Sequence, residues 1–198
     1  KYRGEKHEID YNLDLVRLAG AETRDKRLFL NTGNDIINNS LKSLFPAGAR
    51  FIVVHPWTSD PVKQWPLAYF KKLILELLRE PDYKVAVIGG EAEKNKSREL
   101  FEEIKDSRFI ELTGKTSLKD LAYILKISLL LISGDSGPVH LASCVGIPVI
   151  ALFRSDLQGK TAKRWGPVSA GSRVIENSDL SAITVESVLN EIRRVIKK

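Results

Sequence analysis

The stretch that most constrains the fold is residues 128–152, SLLLISGDSGPVHLASCVGIPVIAL. It contains two short apolar runs, Leu129–Ile132 and Ile147–Leu152, which have no helical period and are typical of strands buried on both faces. The intervening residues Val139–Cys144 favour a helix that ends at Gly146. Two buried strands joined by so short a helical crossover predict parallel strands in a doubly wound sheet.

The turn between the first of these strands and the helix contains the residues best suited to ligand chemistry. Ser136, Gly137 and Pro138 would occupy the first helical positions, where free N–H groups and the helix dipole favour a phosphate. Asp135 would lie at the strand tip, in the crevice where open α/β sheets bind ligands. His140 would face the same side one turn later. Singly, Asp135 fits an N-cap and His140 a core histidine, but together these residues indicate a binding site.

The rest of the chain from residue 50 onward repeats the alternation of strand and helix. Such alternation predicts one Rossmann-like parallel sheet with helices on both faces. The predicted strands are 51–54, 84–88, 108–112, 129–132, 147–152 and 172–175, and the predicted helices are 66–78, 92–104, 117–126, 139–144 and 184–196.

The first 50 residues lack a strong apolar pattern of their own. They contain an amphipathic segment that ends at Gly20, a short strand candidate at 28–30 and a helix candidate at 34–45. We therefore predict that residues 1–50 are an interdomain linker with elements of another domain, and that 51–198 form the ligand-binding domain. Because the chain begins with Lys1 and contains no Met, we expect it to be a piece of a longer protein.

Composition and charge narrow the class of protein. An apolar content of 43% and a charged content of 28% are typical of a soluble globular domain, and no apolar run reaches the length of a membrane span. One cysteine, Cys144, excludes an internal disulfide framework and favours a reducing compartment such as the cytoplasm. The net charge of +6 suits phosphorylated ligands, nucleic acid or an anionic membrane surface. Because the basic residues are scattered and paired with acids, we expect no nucleic acid partner, while peripheral contact with the cytoplasmic face of the inner membrane is left open.

The loop after the first predicted strand has the groups that a phosphate needs. Thr58 and Ser59 supply hydroxyls, and Lys63 supplies a cation. An ordinary turn with an exposed lysine would show the same residues. If all strands are parallel, this loop shares one edge of the sheet with Asp135.

The loops after the second and third predicted strands extend the same edge. Gly89 and Gly90 precede a helix that has Glu91 and Glu93 at its start. Either acid is placed to take ribose hydroxyls, although for each alone the better explanation is an acid that suits the helix dipole. The loop after the third strand, residues 113–118, is placed to border a nucleobase. The edge as a whole therefore favours a nucleotide.

Other phosphate and catalytic motifs do not fit. Gly114-Lys115-Thr116 and Gly159-Lys160-Thr161 lack the earlier glycine that a Walker A loop requires. The first strand is not followed by the glycine pattern of a dinucleotide fold, and no Cys/His cluster or D-x-D turn suggests a metal. Ser136 lacks the frame of a hydrolase nucleophile. We therefore expect no metal and no cofactor.

The motifs resemble, in order, those of glycosyltransferase family 9, the ADP-heptose:lipopolysaccharide heptosyltransferases. The matching segments are His55-Pro56 with Lys63-x-Trp65-Pro66, Gly89-Gly90-x-x-Glu93, Gly114 to Leu118, and Asp135-Ser136-Gly137-Pro138-x-His140-Leu141-Ala142. The resemblance implies a GT-B architecture, in which two Rossmann-like domains face each other across a cleft. This chain resembles the C-terminal, donor-binding half with its linker.

The resemblance also implies a role for each motif. The implied donor-binding residues are Thr58, Ser59 and Lys63 for the diphosphate, Glu93 for the ribose, the backbone near Thr116 for adenine, Asp135 for the sugar, and Ser136, Gly137 and His140 for completion of the phosphate site. The implied reaction is an inverting, metal-independent transfer of a sugar from ADP-heptose to the lipopolysaccharide inner core. Lys63 and Asp135 would be its catalytic residues in this half, while the general base would lie in the N-terminal domain. The isolated chain is accordingly expected to bind nucleotide without turnover.

Two departures from the family pattern leave details open. The loop from His55 to Lys63 is one residue longer than in some members, so that the roles of Thr58 and Ser59 shift by one in an alternative alignment. A family turn of Gly-Pro-Thr-Asp-Pro is replaced by residues 154–157, in which Arg154 is either an anion contact or an exposed loop residue. The alternatives are a relative that uses another nucleotide sugar and a non-catalytic nucleotide-binding module.

Overall fold

The computed structural model describes residues 5–23, 25–31 and 39–197. Within these ranges, strands and helices alternate from Arg50 onward. The strands are β1 (Arg50–His55), β2 (Tyr83–Val87), β3 (Phe109–Glu111), β4 (Leu130–Gly134), β5 (Val149–Arg154) and β6 (Arg173–Asn177). The helices are α1 (Glu8–Leu18), α2 (Asn39–Lys42), α3 (Leu67–Leu78), α4 (Lys94–Phe101), α5 (Leu118–Lys126), α6 (Gly137–Val145), α7 (Ala162–Trp165) and α8 (Val185–Ile196), with 3₁₀ turns at Pro61–Lys63, Glu91–Glu93 and Leu180–Ala182.

The described strands form one sheet in the order β3-β2-β1-β4-β5-β6, and each neighbouring pair is parallel. This is the strand order of a Rossmann-like fold, and it confirms the predicted α/β sheet. The winding reverses between β1 and β4, which are adjacent in space although far apart in the chain. Open sheets bind ligands at the carboxyl ends of the strands beside such a reversal.

Apolar side chains on the two faces of the sheet belong to two separate cores, so helices cover both faces as predicted. Along β1, Ile52 and Val54 pack with α3 and α8, whereas Phe51 and Val53 pack with α5 and α6. The strands β1 and β4 are buried almost throughout, which explains why their sequences are apolar without alternation.

The helix ends follow the signals in the sequence. Ser117 caps α5 and exchanges hydrogen bonds with Asp120 in a capping box. Gly146 ends α6 in the left-handed conformation with φ of +83°, as predicted. None of the described helices has the length and apolar character needed to cross a membrane.

The first 50 residues differ from expectation in two respects. The predicted short strand at 28–30 is wrong, because the Leu30 N–H donates to the Cys144 carbonyl oxygen at the end of α6 and not to a strand. The predicted helix at 34–45 begins in residues that lie outside the described ranges, and its described part is α2. Phe45, just after α2, is buried and contacts Phe51 of β1 with ring centroids 4.7 Å apart.

Several predicted boundaries within the domain shift by a few residues, most clearly at one helix. The predicted helix at 92–104 is shorter than expected, since the 3₁₀ turn precedes α4 and the helix ends at Phe101. Outside the domain, the amphipathic segment that was predicted to end at Gly20 forms α1. Gly20, with φ of +85°, lies two residues after the last residue of this helix.

Candidate functional site

The loops after β1 and β4 meet where the winding of the sheet reverses. Lys63, at the end of the 3₁₀ turn after β1, donates a hydrogen bond from Nζ to Oδ2 of Asp135, which directly follows β4. Their side chains are only 18% and 11% exposed. The structure therefore brings two predicted site residues, far apart in sequence, into one partly buried ion pair.

The geometry of the loop after β1 sets the position of Lys63. Asp60 accepts a hydrogen bond from the Val62 N–H at 3.2 Å, which starts the 3₁₀ turn, and its other oxygen accepts from Lys160 at 3.1 Å. Thr58 donates its hydroxyl proton to the Asp60 carbonyl oxygen at 2.9 Å. Ser59 is exposed at the tip of the loop. In this state the Thr58 hydroxyl serves the turn, whereas Ser59 faces solvent.

Helix α6 begins beside this ion pair with an open first turn. Ser136 occupies the N-cap position, but its side chain makes no capping hydrogen bond to the helix. Gly137 is exposed, and a Cβ atom added to it would meet nothing within 4 Å. Pro138 stands in the first turn, where its missing N–H costs nothing. N–H groups at the start of a helix favour an anion, and the space above Gly137 is open on this turn.

The Ser136 hydroxyl instead joins a buried polar cluster. It lies 2.8 Å from Ser133 Oγ and 3.1 Å from His55 Nδ1, and Ser133 Oγ also lies 3.1 Å from His55 Nδ1. Burial lowers the pKa of His55 to about 4, so its imidazole is neutral at physiological pH. Sequence reasoning assigned no role to His55 or Ser133. The available signal was a polar residue at the carboxyl end of each otherwise apolar strand.

His140 lies in the first turns of α6, on the side of the sheet that also carries α7. Its ring contacts Trp165 edge-to-face, with centroids 5.9 Å apart. Burial lowers the pKa of His140, while the charge of Asp135 acts in the opposite direction. Trp165 was not foreseen from the sequence, because the residues after β5 show no period that predicts α7.

Glu93 and Thr116 follow β2 and β3, farther along the same edge. The Glu93 carboxylate accepts a hydrogen bond from the Gly90 N–H at 2.9 Å, so in this state it holds the turn before α4. Thr116 is half-buried in the loop before α5. With strands spaced about 4.8 Å apart, β3 lies roughly 15 Å from β4. A ligand that reached both ends would be extended, as a nucleotide is.

Gly89 has a packing requirement as well as a position at this edge. A Cβ atom on Gly89 would lie 2.5 Å from Nε1 of Trp57 and 2.8 Å from the Thr113 methyl group. The first glycine of the pair is therefore explained by close contact with the Trp57 indole. Gly90 is exposed at the start of the turn that Glu93 closes.

Arg154, at the carboxyl end of β5, is engaged by a neighbour. It donates to both carboxylate oxygens of Asp156, at 2.8 and 2.7 Å, and its side chain is 22% exposed. This pairing reduces its availability as an anion contact. Among the described residues, no group of three His, Cys, Asp or Glu side chains is arranged to hold a metal ion.

Comparison with known proteins identifies a matching family and several relatives. A family model described as glycosyltransferase family 9 (heptosyltransferase) matches residues 9–190. A candidate glycosyltransferase of Haemophilus influenzae is 28% identical over 214 residues, which cover 98% of this chain and 62% of the relative. A lipooligosaccharide heptosyltransferase 2 of the same organism is 31% identical over 111 residues, which cover 54% of this chain and 30% of that protein.

Solved structures show the same fold. A glycosyl transferase family 9 protein from Veillonella parvula superimposes with a TM-score of 0.82 at 21% identity, over 97% of this chain and 60% of that one. The E. coli heptosyltransferase WaaC, solved with ADP, superimposes with a TM-score of 0.66 at 21% identity, over 78% of this chain and 47% of that one. The chain thus spans less than two thirds of the length of these relatives.

Proposed function

This chain belongs to glycosyltransferase family 9, and from that membership we propose that it binds the nucleotide-sugar donor of a heptosyltransferase reaction, with ADP-heptose as donor. The observation that supports this most directly is that the Lys63–Asp135 ion pair and the open first turn of α6 lie together at the reversal of the sheet. A cation and unpaired helix N–H groups are the partners that a diphosphate requires.

The proposed ligand lies along the carboxyl edge of the sheet. Its diphosphate contacts Lys63, Ser136 and the backbone at Gly137, and its sugar extends to Asp135. Thr58, Ser59 and His140 border the phosphates. Its ribose lies at Glu93, which gives up the Gly90 hydrogen bond, and its adenine lies at the backbone near Thr116. The relative solved with ADP supports the choice of an adenine nucleotide.

The proposed reaction is an inverting displacement at the anomeric carbon of the sugar. An acceptor hydroxyl oxygen forms the new bond to that carbon, the bond to the diphosphate breaks, and its electron pair leaves with ADP. Lys63 and the N-terminus of α6 stabilise the charge that develops on the departing diphosphate. Asp135 holds the sugar. The proton of the acceptor goes to a base on a facing domain, so we expect this chain alone to bind donor without transferring the sugar.

The remaining assignments rest on the family and on the names of relatives. We assign residues 51–198 to the donor domain and residues 1–50 to the interdomain linker and associated elements. The proposed acceptor is the lipopolysaccharide inner core; a relative that is named a lipooligosaccharide heptosyltransferase supports a glycolipid acceptor of this kind. Peripheral contact with the inner membrane would bring the enzyme to that acceptor.

Isothermal titration calorimetry of the 198-residue chain tests the donor class. We expect binding of ADP and ADP-heptose and at least tenfold weaker binding of UDP and UDP-sugars, because we propose that the backbone near Thr116 recognises the adenine ring. If the chain preferred a UDP-sugar, the proposed donor would change from ADP-heptose to that sugar nucleotide, and the proposed phosphate site would be retained. Absence of binding to every nucleotide would reject the donor site.

A substitution at Gly137 tests whether the open space there is needed for ligand binding, with little expected effect on the stability of the fold. Gly137→Ala adds a methyl group that meets no protein atom within 4 Å, so we expect little change in thermal stability. The same methyl group would occupy the proposed phosphate position, and we expect ADP affinity to fall at least tenfold in calorimetry.

Gly146→Ala, at the other end of α6, is the matched control. Its methyl group also meets nothing within 4 Å, but φ of +83° makes alanine unfavourable there. We expect it to destabilise the fold by about 1 kcal/mol and to leave ADP affinity unchanged. Unchanged ADP affinity in Gly137→Ala would place the phosphate elsewhere.

A further inference from the structure

The buried cluster of His55, Ser133 and Ser136 lies directly beneath the proposed phosphate position. His55 is the last residue of β1, and Ser133 of β4 is its partner in the parallel register. Ser133 is fully buried, whereas Ser136 is half-buried at the start of α6. The strand register therefore fixes the imidazole against both hydroxyls, which lie at 3.1 Å from Nδ1 and 2.8 Å from each other.

The number of protons needed for these three contacts identifies the form of the imidazole. If Nδ1 were only an acceptor, the two hydroxyl protons could serve at most two of the three contacts. If Nδ1 carries the proton, it serves both oxygens, and one hydroxyl donates to the other. Only the Nδ1–H form supplies a donor for every contact. It also leaves one hydroxyl proton unused within the cluster.

The unused proton belongs most favourably to Ser136. Ser133 is completely buried. If its hydroxyl proton pointed out of the cluster, that proton would have neither water nor a protein acceptor as a partner. Ser136 is half-buried and lies beside the open first turn. Since its oxygen is held by His55 and Ser133, Ser136 does not cap the N–H groups of α6 and can direct its proton toward an anion.

We propose that His55 is a positioning residue for the donor phosphate: as the Nδ1–H form, it holds Ser136 away from the helix N–H groups and turns the Ser136 proton outward. The inference rests on the proposed function, since it assumes that the anion at α6 is a donor phosphate. His55 acts through Ser136 and is buried beneath it. The low pKa that burial gives to His55 keeps the imidazole neutral, so the ring carries a single proton, which this arrangement places on Nδ1.

Substitution of His55 tests this role in the 198-residue chain by calorimetry with ADP. His55→Leu removes the donor, so Ser136 becomes free to cap α6, and we expect ADP affinity to fall about tenfold, as the loss of a charge-assisted hydrogen bond predicts. His55→Asn returns an N–H near the Nδ1 position, and we expect affinity within about threefold of the original protein. Ser136→Ala should match His55→Leu, and the double variant should lose no more than either alone.

A second measurement does not depend on ligand binding. Nitrogen chemical shifts of the His55 ring in the unaltered protein should show a protonated Nδ1 and an unprotonated Nε2 at pH 7. The opposite form would overturn the inference. Folded His55→Leu that binds ADP as tightly as the unaltered protein would overturn it too, while the proposed function would stand. Failure of the unaltered protein to bind ADP would reject the proposed function and, with it, the role of His55 in phosphate binding.

Discussion

Lys63→Ala is expected to weaken ADP binding by about tenfold to a hundredfold. A charge-assisted hydrogen bond contributes about 1.5 to 3 kcal/mol, and about 1.4 kcal/mol corresponds to a tenfold change in affinity. The substitution also leaves the Asp135 carboxylate, which is 11% exposed, without its counter-charge beside the ligand phosphates. Both effects act in the same direction. Calorimetry with ADP measures the loss.

Asp135→Asn distinguishes a binding role from a structural one. In the structure, Lys63 donates to Asp135, so ADP must compete for this cation. Removal of the carboxylate charge frees Lys63, and we expect ADP affinity to be unchanged or higher, because ADP lacks the sugar that Asp135 is proposed to hold. Weaker ADP binding by both variants to the same degree would indicate that the ion pair only supports the fold.

Lys71→Ala provides a matched control for the lysine substitution. Lys71 lies on α3 and forms an ion pair with Glu103 at 2.6 Å. Neither residue is among the proposed donor-binding residues, so we expect ADP affinity to stay unchanged. A comparable loss in Lys71→Ala would show that overall charge, and not Lys63, determines the affinity.

The free energy of unfolding is expected to decrease by on the order of 3 kcal/mol as the pH falls from 6.5 to 4, because of the protonation of His55. Burial lowers the pKa of His55 from 6.5 to about 4, whereas the unfolded chain binds this proton near pH 6.5. The unfolded state therefore binds more protons within this window, and each unit of pKa difference corresponds to about 1.4 kcal/mol. Below pH 4 both states are protonated, and this contribution changes no further. Urea unfolding at a series of pH values measures the free energy.

His55→Asn is the control for this pH dependence. His140 also has a pKa lowered by burial and contributes a slope of the same sign, so the informative quantity is the difference between the two proteins. We expect His55→Asn to be less sensitive to pH between 6.5 and 4 by about the stated amount. Equal slopes in the two proteins would mean that the pKa of His55 is the same in the folded and unfolded states, so that burial does not lower it.

Much of the architecture follows from local sequence patterns. Unbroken apolar runs such as 129–132 predicted strands buried on both faces, and Ser117 and Gly146 marked helix ends that the structure confirms. Candidate ligand residues were recognised because hydroxyls, glycines and charges follow strands directly. These signals depend on residues that are close together in the chain, so they can be recognised without knowledge of the tertiary fold.

Local patterns failed where a segment depends on distant contacts. The segment 28–30 has the apolar character of a strand, yet its backbone meets the end of α6. Glu93 fits a ribose contact by position, but its carboxylate holds the Gly90 N–H in the present state. Which partner an acidic side chain takes is decided by the shape of the surrounding loop, which the sequence pattern does not specify.

By itself, the sequence determined the class of fold, the Asp-Ser-Gly-Pro-x-His turn and the type of ligand that such a turn favours. Only the tertiary structure decided that Lys63 meets Asp135 and that His55 holds Ser133 and Ser136. The physical reason is that β1 and β4 pair in a parallel register across a long stretch of intervening chain. The periodicity of each strand specifies its burial but not its neighbour, and the neighbour places these side chains beneath the start of α6.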